Sequence, residues 1–474
     1  MSDRPTVEGP TVMFVTAEFS PVVKVGGLGE ACAGLVSALR DLDVEMHVVL
    51  PDYGRHPMDH EVRERLGVPP WVGEAFVRHG RVRGVNVTMV DVGGIERPHP
   101  YVDPDTGEGW EDNDHRFFAF CAAVAELIAL DRPDVVHLND WHAAGVAAFT
   151  EDLPPTVLTL HNAAHQGWAD PGWQALMGSR GPWFDHLGMT NALVGGIRAA
   201  DAVVAVSPSY ARELLRPETS HGLTRELEAK GDRLTGILNG IAPAEWDPAN
   251  DPHLAAPFDA SDLSGKAICR TALLQMVGLE THPSPVIGMV ARLDHQKGVD
   301  LALSLAGMLH AMPARLVIHG SGSPSLARLA RRTAGAHGDR MSVIDGYDDA
   351  TAHRIIAGSD LGLVPSRFEP CGLTQMQAMS YGTIPVVTGV GGLVDTVVDL
   401  DGDRRRGTGF VADRADTRAL TDALRRAVRG WRDPRRRRRV QHRGMTRDWS
   451  WADPARRYRR IYRRVLSETP APRL

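Results

Sequence analysis

The chain has 474 residues, of which 43% are hydrophobic and 24% charged, and its formal net charge is −6. This length predicts two or three domains that can each bury a core, and the composition excludes disordered, collagen-like and small disulfide-stabilised proteins. No stretch reaches the roughly 20 apolar residues of a membrane helix, and the opening residues lack a secretory apolar region, so we expect a cytoplasmic protein without a membrane partner. Four widely spaced cysteines without a Cys-x-x-Cys pair predict reduced thiols rather than a zinc site or disulfides: Cys32, Cys121, Cys269 and Cys371.

Short β-branched runs alternate with longer helical patterns along the chain, which is typical of βαβ units and parallel sheets. In the first half the predicted strands are residues 12–16, 46–50, 85–92, 135–138, 156–160, 203–206 and 234–238. Helical patterns lie between them, for example at residues 29–40, 115–130 and 208–215. A second series of strands, each followed by a helical segment, is predicted at residues 286–290, 316–319, 341–344, 361–364 and 384–387.

The two series are separated by residues 241–264, which are rich in Pro, Ala and Asp and have no sustained periodicity. We therefore predict an α/β protein with two doubly wound, Rossmann-like domains, at residues 1–245 and 265–448. A linker at 246–264 would join them, and a C-terminal helix and tail would follow at 449–474. Ligands of such sheets bind beyond the carboxyl ends of the strands, so we expect two facing domains to share a site in the cleft between them.

The C-terminal end is strongly basic. Residues 425–464 contain 17 Arg and three Asp, a balance of +14, so the remainder of the chain carries −20. Such a charge can neutralise nucleic-acid phosphates. Aromatic and aliphatic residues nevertheless recur among the arginines at three- and four-residue intervals, which predicts helices with a solvated basic face at residues 420–428 and 449–466. We therefore expect no nucleic-acid partner.

A glycine-rich loop, residues 24–29, follows the first predicted strand and opens a helix. Its glycines, Gly26 and Gly27 among them, let backbone amides approach an anion, and Lys24 adds a full positive charge. The spacing is neither that of a Walker A loop nor that of a Gly-x-Gly-x-x-Gly dinucleotide motif. The loop is thus a candidate phosphate site, and the alternative is a plain turn that packs the helix on the strand.

Two further loops follow strands of the second series. In the basic loop, residues 291–298, Arg292 and Lys297 stand five residues apart, which suits an anionic leaving group, although a solvated basic loop is the alternative. In the acidic turn, residues 365–374, Glu369 follows a strand end and could accept sugar hydroxyls. Free amides near Leu373 and Thr374 could receive a phosphate.

These three segments, in this order, resemble the bacterial glycogen synthase and plant starch synthase family of retaining glucosyltransferases, which have the GT-B fold. Five other stretches resemble the family as well: residues 137–143, 160–167, 238–241, 347–350 and 391–396. The resemblance extends from about residue 12 to residue 462, and residues 366–375 are its most specific part. It implies a first domain of the starch synthase catalytic type and C-terminal helices that close back toward that domain.

The resemblance also implies roles for individual residues. Lys24, Gly26 and Gly27 would contact the phosphates of a nucleotide-diphosphoglucose donor. Arg292 and Lys297 would neutralise the departing diphosphate, and Glu369 would hold the hydroxyls of the transferred glucose. The remaining implied residues are Asp140, His161 and Asn239 on the sugar and acceptor side, and Cys371, Gly372, Leu373 and Thr374 in a substrate-binding turn where the Thr374 amide meets the distal phosphate.

Several of these residues have a structural alternative. His161 at a strand end is compatible with a satisfied structural histidine as well as with a neutral imidazole, or a backbone carbonyl, that binds sugar hydroxyls. Asp140 could instead cap the helix that begins after it. Cys371 is expected to be a packed thiol rather than a nucleophile.

The resemblance implies transfer of glucose from a nucleotide-diphosphoglucose, with ADP-glucose preferred over UDP-glucose, to the non-reducing end of an α-1,4-glucan with retention. It implies neither a metal nor a cofactor. Alternatives are transfer to another acceptor, such as glucose 1-phosphate giving maltose 1-phosphate, a phosphorylase that would need pyridoxal phosphate, or a noncatalytic glucan-binding protein.

The chain departs from the usual pattern at Glu30 and Ala242, where the family usually has Asp. Gln377 stands where the wider retaining class often has Glu, which leaves ribose binding unassigned.

Overall fold

The computed structural model describes residues 9–54 and 56–468. By its internal contacts the chain divides into two compact units. The first unit comprises the chain up to Gly240 together with the segment from Trp451 onward, and the second comprises Ile241–Ser450. Each unit is built around one large sheet, so the predicted pair of doubly wound α/β domains is confirmed.

The first unit contains a nine-stranded sheet in the order β12-β11-β7-β6-β1-β2-β5-β4-β3 and a small antiparallel sheet in the order β8-β10-β9. The large sheet is parallel from β12 to β5 and antiparallel at β4 and β3. Its strands are β1 Thr11–Val15, β2 Glu45–Pro51, β3 Asp59–Leu66, β4 Ala75–Val82, β5 Val85–Val92, β6 Val135–Asn139, β7 Thr156–Leu160, β11 Ala202–Ala205 and β12 Leu234–Gly236, and the small sheet has β8 Trp168–Ala169, β9 Asp185–His186 and β10 Met189–Asn191.

Helices flank the large sheet of the first unit. They are α1 Gly27–Arg40, α2 Asn113–Asp131, α3 Asp140–Ala144, α4 Val146–Phe149, α5 Trp173–Leu176, α6 Ala192–Ala199, α7 Pro208–Glu213 and α8 Thr224–Glu228, with short 3-10 helices at Gly178–Phe184 and Gly231–Arg233. Every residue of the central strands β6 and β7 is buried. This is the pattern of parallel strands covered on both faces, and it explains why their sequences are nearly continuous apolar runs.

The second unit has a six-stranded parallel sheet in the order β15-β14-β13-β16-β17-β18. Its strands are β13 Val286–Val290, β14 Arg315–Gly320, β15 Met341–Asp345, β16 Leu361–Val364, β17 Ile384–Thr388 and β18 Phe410–Ala412. Its helices are α9 Ser264–Met276, α10 Val299–Ser304, α11 Pro324–Ala336, α12 Asp349–Gly358, α13 Thr374–Ser380, α14 Gly391–Thr396, α15 Thr417–Trp431 and α16 Pro434–Met445, with a 3-10 helix at Ala306–Met308.

The last helix, α17 at Ala452–Ser467, packs on the first unit. The Tyr462 hydroxyl lies 2.7 Å from Nδ1 of His137, a buried residue of β6. Gly34 of α1 leaves room for Trp451, because a Cβ at this glycine would lie 2.1 Å from the indole Nε1. The predicted return of the C-terminal end to the first domain is thus made by α17, whereas α15 and α16 belong to the second unit.

The segment predicted as a linker, residues 246–264, is instead a packed part of the second unit. The carboxylate of Asp251 accepts a 2.6 Å hydrogen bond from the Tyr381 hydroxyl and lies 2.7 Å from His353 Nδ1. The Trp246 ring stacks on His353 with the centroids 4.0 Å apart. These contacts anchor the segment, although it has no helix or strand before α9. Its content of Pro, Ala and Asp therefore reflects irregular structure and not a linker between domains.

All four cysteines are buried and free, as predicted. Among the described helices, none is both long and apolar enough to cross a membrane.

Candidate active site

In the first unit, the glycine-rich loop is held by the carboxylate of Glu18. This buried side chain accepts hydrogen bonds at Oε2 from the backbone N–H groups of Val25, at 2.8 Å, and Gly26, at 3.2 Å. At Oε1 it accepts a hydrogen bond of 2.8 Å from the Tyr101 hydroxyl. The loop therefore has a defined conformation where α1 begins at Gly27, and its amides are preorganised near a helix N-terminus.

Lys24 of this loop is not an isolated cation. Its Nζ lies 3.6 Å from Oε2 of Glu30, on the first turn of α1. Glu30 is one of the two positions at which the family usually has Asp. A phosphate that binds Lys24 has to compete with this carboxylate.

Asp140 follows β6 and adopts a φ of +56°, a left-handed conformation that is costly for a residue other than glycine and often marks a functional site. Its carboxylate does not cap the following helix, which corrects that alternative. Instead, Oδ1 accepts hydrogen bonds from the backbone N–H groups of His161, at 2.7 Å, and Asn162, at 3.2 Å. Burial raises the pKa of Asp140 to about 7, although these amide hydrogen bonds lower it.

His161 stands at the end of β7, and its Nε2 lies 3.0 Å from Oδ1 of Asn139. The amide of Asn139 is oriented by its donation to the Val15 carbonyl at 3.0 Å, so the histidine must carry its hydrogen on Nε2. Burial lowers the pKa of His161 to about 3, and the ring is therefore neutral near pH 7. This tautomer leaves Nδ1 as a hydrogen-bond acceptor.

The predicted residues of the first unit follow the carboxyl ends of parallel strands. The glycine-rich loop comes after β1, Asp140 directly follows β6, and His161 directly follows β7. Because β7, β6 and β1 are neighbours in the sheet, these residues lie along one edge of it. Asn239 is buried shortly after β12, the last strand at the side of the sheet beyond β7.

In the second unit, the structure brings Lys297 and Glu369 together. The lysine Nζ donates to both carboxylate oxygens, at 2.9 Å to Oε1 and 2.7 Å to Oε2. The Ser366 hydroxyl adds a 2.8 Å hydrogen bond to Oε2. Glu369 is buried and Lys297 is partly buried, so the pair is shielded from solvent and fixed in orientation.

Arg292, the other predicted cation, is more exposed than Lys297. Its guanidinium lies 3.1 Å from Asp294 Oδ2, and 46% of its side chain is accessible. The same aspartate accepts a 2.8 Å hydrogen bond from the backbone N–H of Lys297 at Oδ1. Asp294 thus fixes the basic loop while Arg292 can still turn toward a bound anion.

The basic loop and the acidic turn are tied to each other because β13 and β16, the strands they follow, are neighbours. Arg367 forms a two-pronged ion pair with Asp300, at 2.7 and 2.6 Å, and also donates to the His295 carbonyl at 2.8 Å. The Gln296 side chain donates to the Phe368 carbonyl at 3.1 Å. These contacts hold the backbones that carry Lys297 and Glu369.

The acidic turn ends in a tight bend before α13. Gly372 has a φ of +73°, and a Cβ there would lie 2.5 Å from the Gln375 side chain, so glycine is required. The Gln375 amide donates to the carbonyls of Gly372, at 2.6 Å, and Cys371, at 3.2 Å. Within the described part of the chain, the amides of Leu373 and Thr374 donate no hydrogen bond, as expected for a helix start. Cys371 is a buried thiol, as predicted.

The sequence did not identify the residues that position the predicted ones. Glu18, Ser366 and Arg367 all contact the predicted site residues or their loops. Glu18 could have been recognised, since it is an acidic residue three positions after the last residue of the apolar strand β1. The partnership of Arg367 with Asp300 spans 67 positions and has no local signal. Across residues 9–54 and 56–468, no group of three or more His, Cys, Asp or Glu side chains could hold a metal ion.

Comparison with known proteins identifies the family. The sequence profile of the starch synthase catalytic domain matches residues 11–229, and that of the glycosyl transferases group 1 matches residues 277–444. A glycogen synthase of Thioalkalivibrio sulfidiphilus is 41% identical over 484 aligned positions, which cover 96% of this chain and 100% of that protein. The chain belongs to the glycogen and starch synthase family.

Other members of the glycogen and starch synthase family support this assignment. A glycogen synthase of Halorhodospira halophila is 39% identical, with 96% of this chain and 99% of that protein covered. The solved catalytic domain of starch synthase IV from Arabidopsis thaliana, bound to ADP and acarbose, is 31% identical and has a TM-score of 0.89, with 97% of this chain and 100% of that one covered. The protein is therefore a glycosyltransferase with the GT-B fold, as the resemblance implied.

Proposed function

We propose that this enzyme transfers glucose from ADP-glucose to the non-reducing end of an α-1,4-glucan, with retention of the anomeric configuration. The family supports a glucan acceptor, because the relatives are glycogen synthases. A related starch synthase domain is known with ADP bound, which supports adenine over uracil in the donor.

The pairing of Lys297 with Glu369 is the observation that carries the proposal. Sugar transfer from a nucleotide diphosphate builds negative charge on the leaving diphosphate and positive charge on the glucosyl ring. The lysine and the carboxylate are in direct contact, at 2.7 Å. The cation can therefore stabilise the leaving diphosphate while the carboxylate lies beside the glucosyl group. In this scheme Lys297 moves its charge toward the diphosphate, and Glu369 holds the hydroxyls of the glucosyl group.

Further groups would bind the donor phosphates. Arg292 turns from Asp294 to the departing diphosphate, and the amides at Leu373 and Thr374 receive the distal phosphate at the start of α13. Lys24 exchanges the Glu30 carboxylate for a phosphate oxygen, while the Gly27 amide approaches the same anion. The Gly26 N–H donates to Glu18, so Gly26 contributes by having no side chain that could obstruct the anion. Cys371 and Gly372 shape the turn that presents these amides.

The first unit would also bind the sugar and the acceptor. The neutral His161 offers Nδ1 as an acceptor for a sugar hydroxyl, and Asn239 offers an amide. Asp140, with a pKa near 7, orients the backbone of His161 and can exchange a proton near neutral pH. Retention follows if the acceptor hydroxyl attacks the face from which the diphosphate departs, with a diphosphate oxygen taking its proton.

An acceptor screen tests the proposed reaction. Purified protein is incubated with ADP-glucose and, separately, glycogen, maltooligosaccharides or glucose 1-phosphate, and the products are identified by chromatography and by NMR of the new linkage. We expect longer α-1,4-glucans with α configuration. Formation of maltose 1-phosphate without glucan elongation, or of a β linkage, would contradict the proposal.

The assigned role of Glu369 is tested by Glu369→Gln. We expect kcat with ADP-glucose and glycogen to fall by about 10²- to 10³-fold, since a charged group aimed at the reacting centre is lost. Glu280→Gln, which changes an exposed carboxylate of the same unit, serves as the matched control and should retain wild-type kcat. Similar turnover in both variants would refute the role of Glu369.

A further inference from the structure

The surface of the second unit contains an open depression of about 600 Å³ that is lined almost entirely by arginine. Its lining residues are Arg404, Arg405, Arg438, Arg439, His442 and Arg443. The first two belong to the turn before β18, and the other four lie on α16. No acidic side chain lines this arginine pocket, and its volume falls within the range of roughly 300–1,000 Å³ that is typical of small-ligand sites.

The turn that carries Arg404 and Arg405 is held in place by Arg443. The Arg443 guanidinium donates to the carbonyls of Arg405, at 2.8 Å, and Gly407, at 2.7 Å. At the start of the turn, Asp403 accepts a 2.9 Å hydrogen bond from the Arg405 amide. The two neighbouring guanidiniums are thus presented by a fixed backbone rather than by a loose loop.

Unlike some of their neighbours, the arginines of the pocket form no ion pair within 4 Å with an acidic side chain that the structure describes, although Asp262, Asp403 and Asp433 interact electrostatically with Arg438, Arg443 and Arg439, respectively. Just outside the pocket, Arg426 pairs with Asp399 at 3.0 Å and Arg436 pairs with Asp401 at 3.0 Å. Inside it, the side chains of Arg404, Arg405 and Arg439 make no hydrogen bond or ion pair with any residue that the structure describes.

The neighbouring positive charges affect the pKa of an arginine in the pocket. Burial lowers the pKa of Arg443 and the positive charge of Arg439 lowers it further, while the negative charge of Asp403 raises it. A cluster of unpaired cations destabilises the fold unless an anion binds it. Binding of an anionic ligand would therefore reduce the repulsion between these arginines.

We propose that the arginine pocket binds a small organic ligand that carries two or more phosphoryl groups. Guanidinium groups match phosphate oxygens through two parallel hydrogen bonds, and each of the three that have no hydrogen-bond partner among the described residues, Arg404, Arg405 and Arg439, can engage a phosphoryl group in this way. This site is separate from the proposed transferase residues, and the inference does not depend on the proposed reaction.

A small ligand is favoured over a nucleic acid by how the remaining basic charge is distributed. Nucleic-acid binding relies on a continuous row of phosphate contacts. The arginines of α17 belong to the other unit, and two of them face acids on their own helix end: Arg456 lies 3.7 Å from Asp453 and Arg464 lies 3.9 Å from Glu468. In the second unit, five arginines and one histidine from two separate segments of the chain instead surround a single depression.

The experiment uses the full chain and inorganic tripolyphosphate as the probe, with binding measured by calorimetry at constant ionic strength. The pocket variant is Arg404→Ala with Arg439→Ala, and the matched control is Arg435→Ala, an exposed arginine of α16 outside the pocket. We expect the pocket variant to bind the probe about tenfold or more weakly than wild type, and the control to bind it as wild type does. Binding at the transferase residues would be the same in all three proteins and would cancel in the comparison.

Thermal unfolding provides a second readout that does not depend on activity. Tripolyphosphate should raise the Tm of wild type and of Arg435→Ala, and should raise that of the pocket variant less. Equal affinity in the pocket variant and wild type would overturn the proposal. So would equally tight binding of inorganic phosphate, or tighter pocket-dependent binding of a single-stranded DNA oligonucleotide at the same phosphate concentration.

Discussion

Glu18 is a buried carboxylate that fixes the backbone of the glycine-rich loop. Two backbone amides and the Tyr101 hydroxyl converge on it within 3.2 Å. A glycine-rich loop loses much conformational entropy when it becomes ordered. Because the Glu18 carboxylate already fixes the loop, less entropy is lost when a phosphate binds. Glu18 is therefore a positioning residue and not a catalytic one.

Replacing Glu18 tests this role. In Glu18→Ala the amides of Val25 and Gly26 lose their acceptor, so we expect the KM for ADP-glucose to rise about tenfold with a smaller change in kcat. Glu18→Gln keeps an oxygen acceptor and should restore most of the affinity. Glu108→Gln, an exposed carboxylate of the same unit, is the control. An unchanged KM in Glu18→Ala, or an equal defect in the Gln variant, would contradict a positioning role.

Buried polar pairs also connect elements that are distant in sequence. His137 of β6 lies between the hydroxyls of Thr159, at 2.8 Å, and Tyr462 of α17, at 2.7 Å. Burial lowers the pKa of His137 to about 3, so the ring stays neutral and needs both partners. This contact helps to hold α17 against the large sheet of the first unit, although Tyr462 and His137 are 325 positions apart in the sequence.

The contact between β6 and α17 yields a stability prediction. Tyr462→Phe leaves one ring nitrogen of His137 buried without a partner, which should lower the free energy of unfolding of the first unit by about 1–3 kcal/mol. The control Arg463→Ala, on the exposed face of the same helix, should change it by less than about 0.5 kcal/mol. Denaturant titration monitored by circular dichroism measures both. Equal stability of Tyr462→Phe and wild type would show that the contact is dispensable.

A lysine of α9 makes the second unit sensitive to pH. Lys266 is buried, and its Nζ donates to the Ala357 carbonyl at 2.9 Å and to the Thr383 hydroxyl at 2.7 Å. Burial lowers its pKa to about 7. The unfolded chain keeps the proton up to its ordinary pKa of about 10.4, so between these values the unfolded state binds more protons than the folded state.

The stability of the second unit should consequently rise with pH from about 7 to about 10, by at most about 1.4 kcal/mol per pH unit from this lysine. Lys266→Met removes the titrating group, so its stability should depend less on pH over that window than the stability of wild type does. Urea titrations at several pH values provide the comparison. Parallel pH profiles for the two proteins would rule out Lys266 as the source.

Buried elements could be predicted from the sequence more completely than exposed ones. The predicted strands at residues 85–92 and 286–290 coincide with β5 and β13, because most of their residues are buried and apolar. The antiparallel strand β3 was missed because all its residues except Leu66 are exposed and its sequence is mostly charged. The helix α16 was missed for a similar reason, since it carries five consecutive arginines and few apolar residues.

In the candidate site, the individual loops could be predicted from local sequence, but the contacts between the loops could not. Each loop was recognisable from its glycines, prolines and charges next to a predicted strand. The contacts between loops were not, because pairs such as Lys297 with Glu369 are 72 positions apart and depend on which strands are neighbours in the sheet. The local sequence pattern thus identifies candidate side chains, whereas the order of the strands in the sheet determines which of these side chains are in contact.

For the whole molecule, the basic C-terminal end proves not to be one functional region. Its arginines are divided between the two units, with α15 and α16 in the second and α17 in the first. Five of them form ion pairs with acids, namely Arg425, Arg426, Arg436, Arg456 and Arg464, and three others, Arg438, Arg439 and Arg443, line the arginine pocket. The modest net charge of −6 thus conceals a local concentration of charge that only the fold reveals.

The central claim is that the whole chain is a glucan synthase that uses ADP-glucose. The most direct test is the initial rate of glucose incorporation into glycogen by the purified protein, with ADP-glucose and UDP-glucose compared at equal concentrations and with Lys297→Ala run in parallel. We predict rapid incorporation from ADP-glucose, much slower incorporation from UDP-glucose, and a rate about 10²- to 10³-fold lower for Lys297→Ala. Absence of incorporation from either donor, or an undiminished rate in Lys297→Ala, would contradict the account.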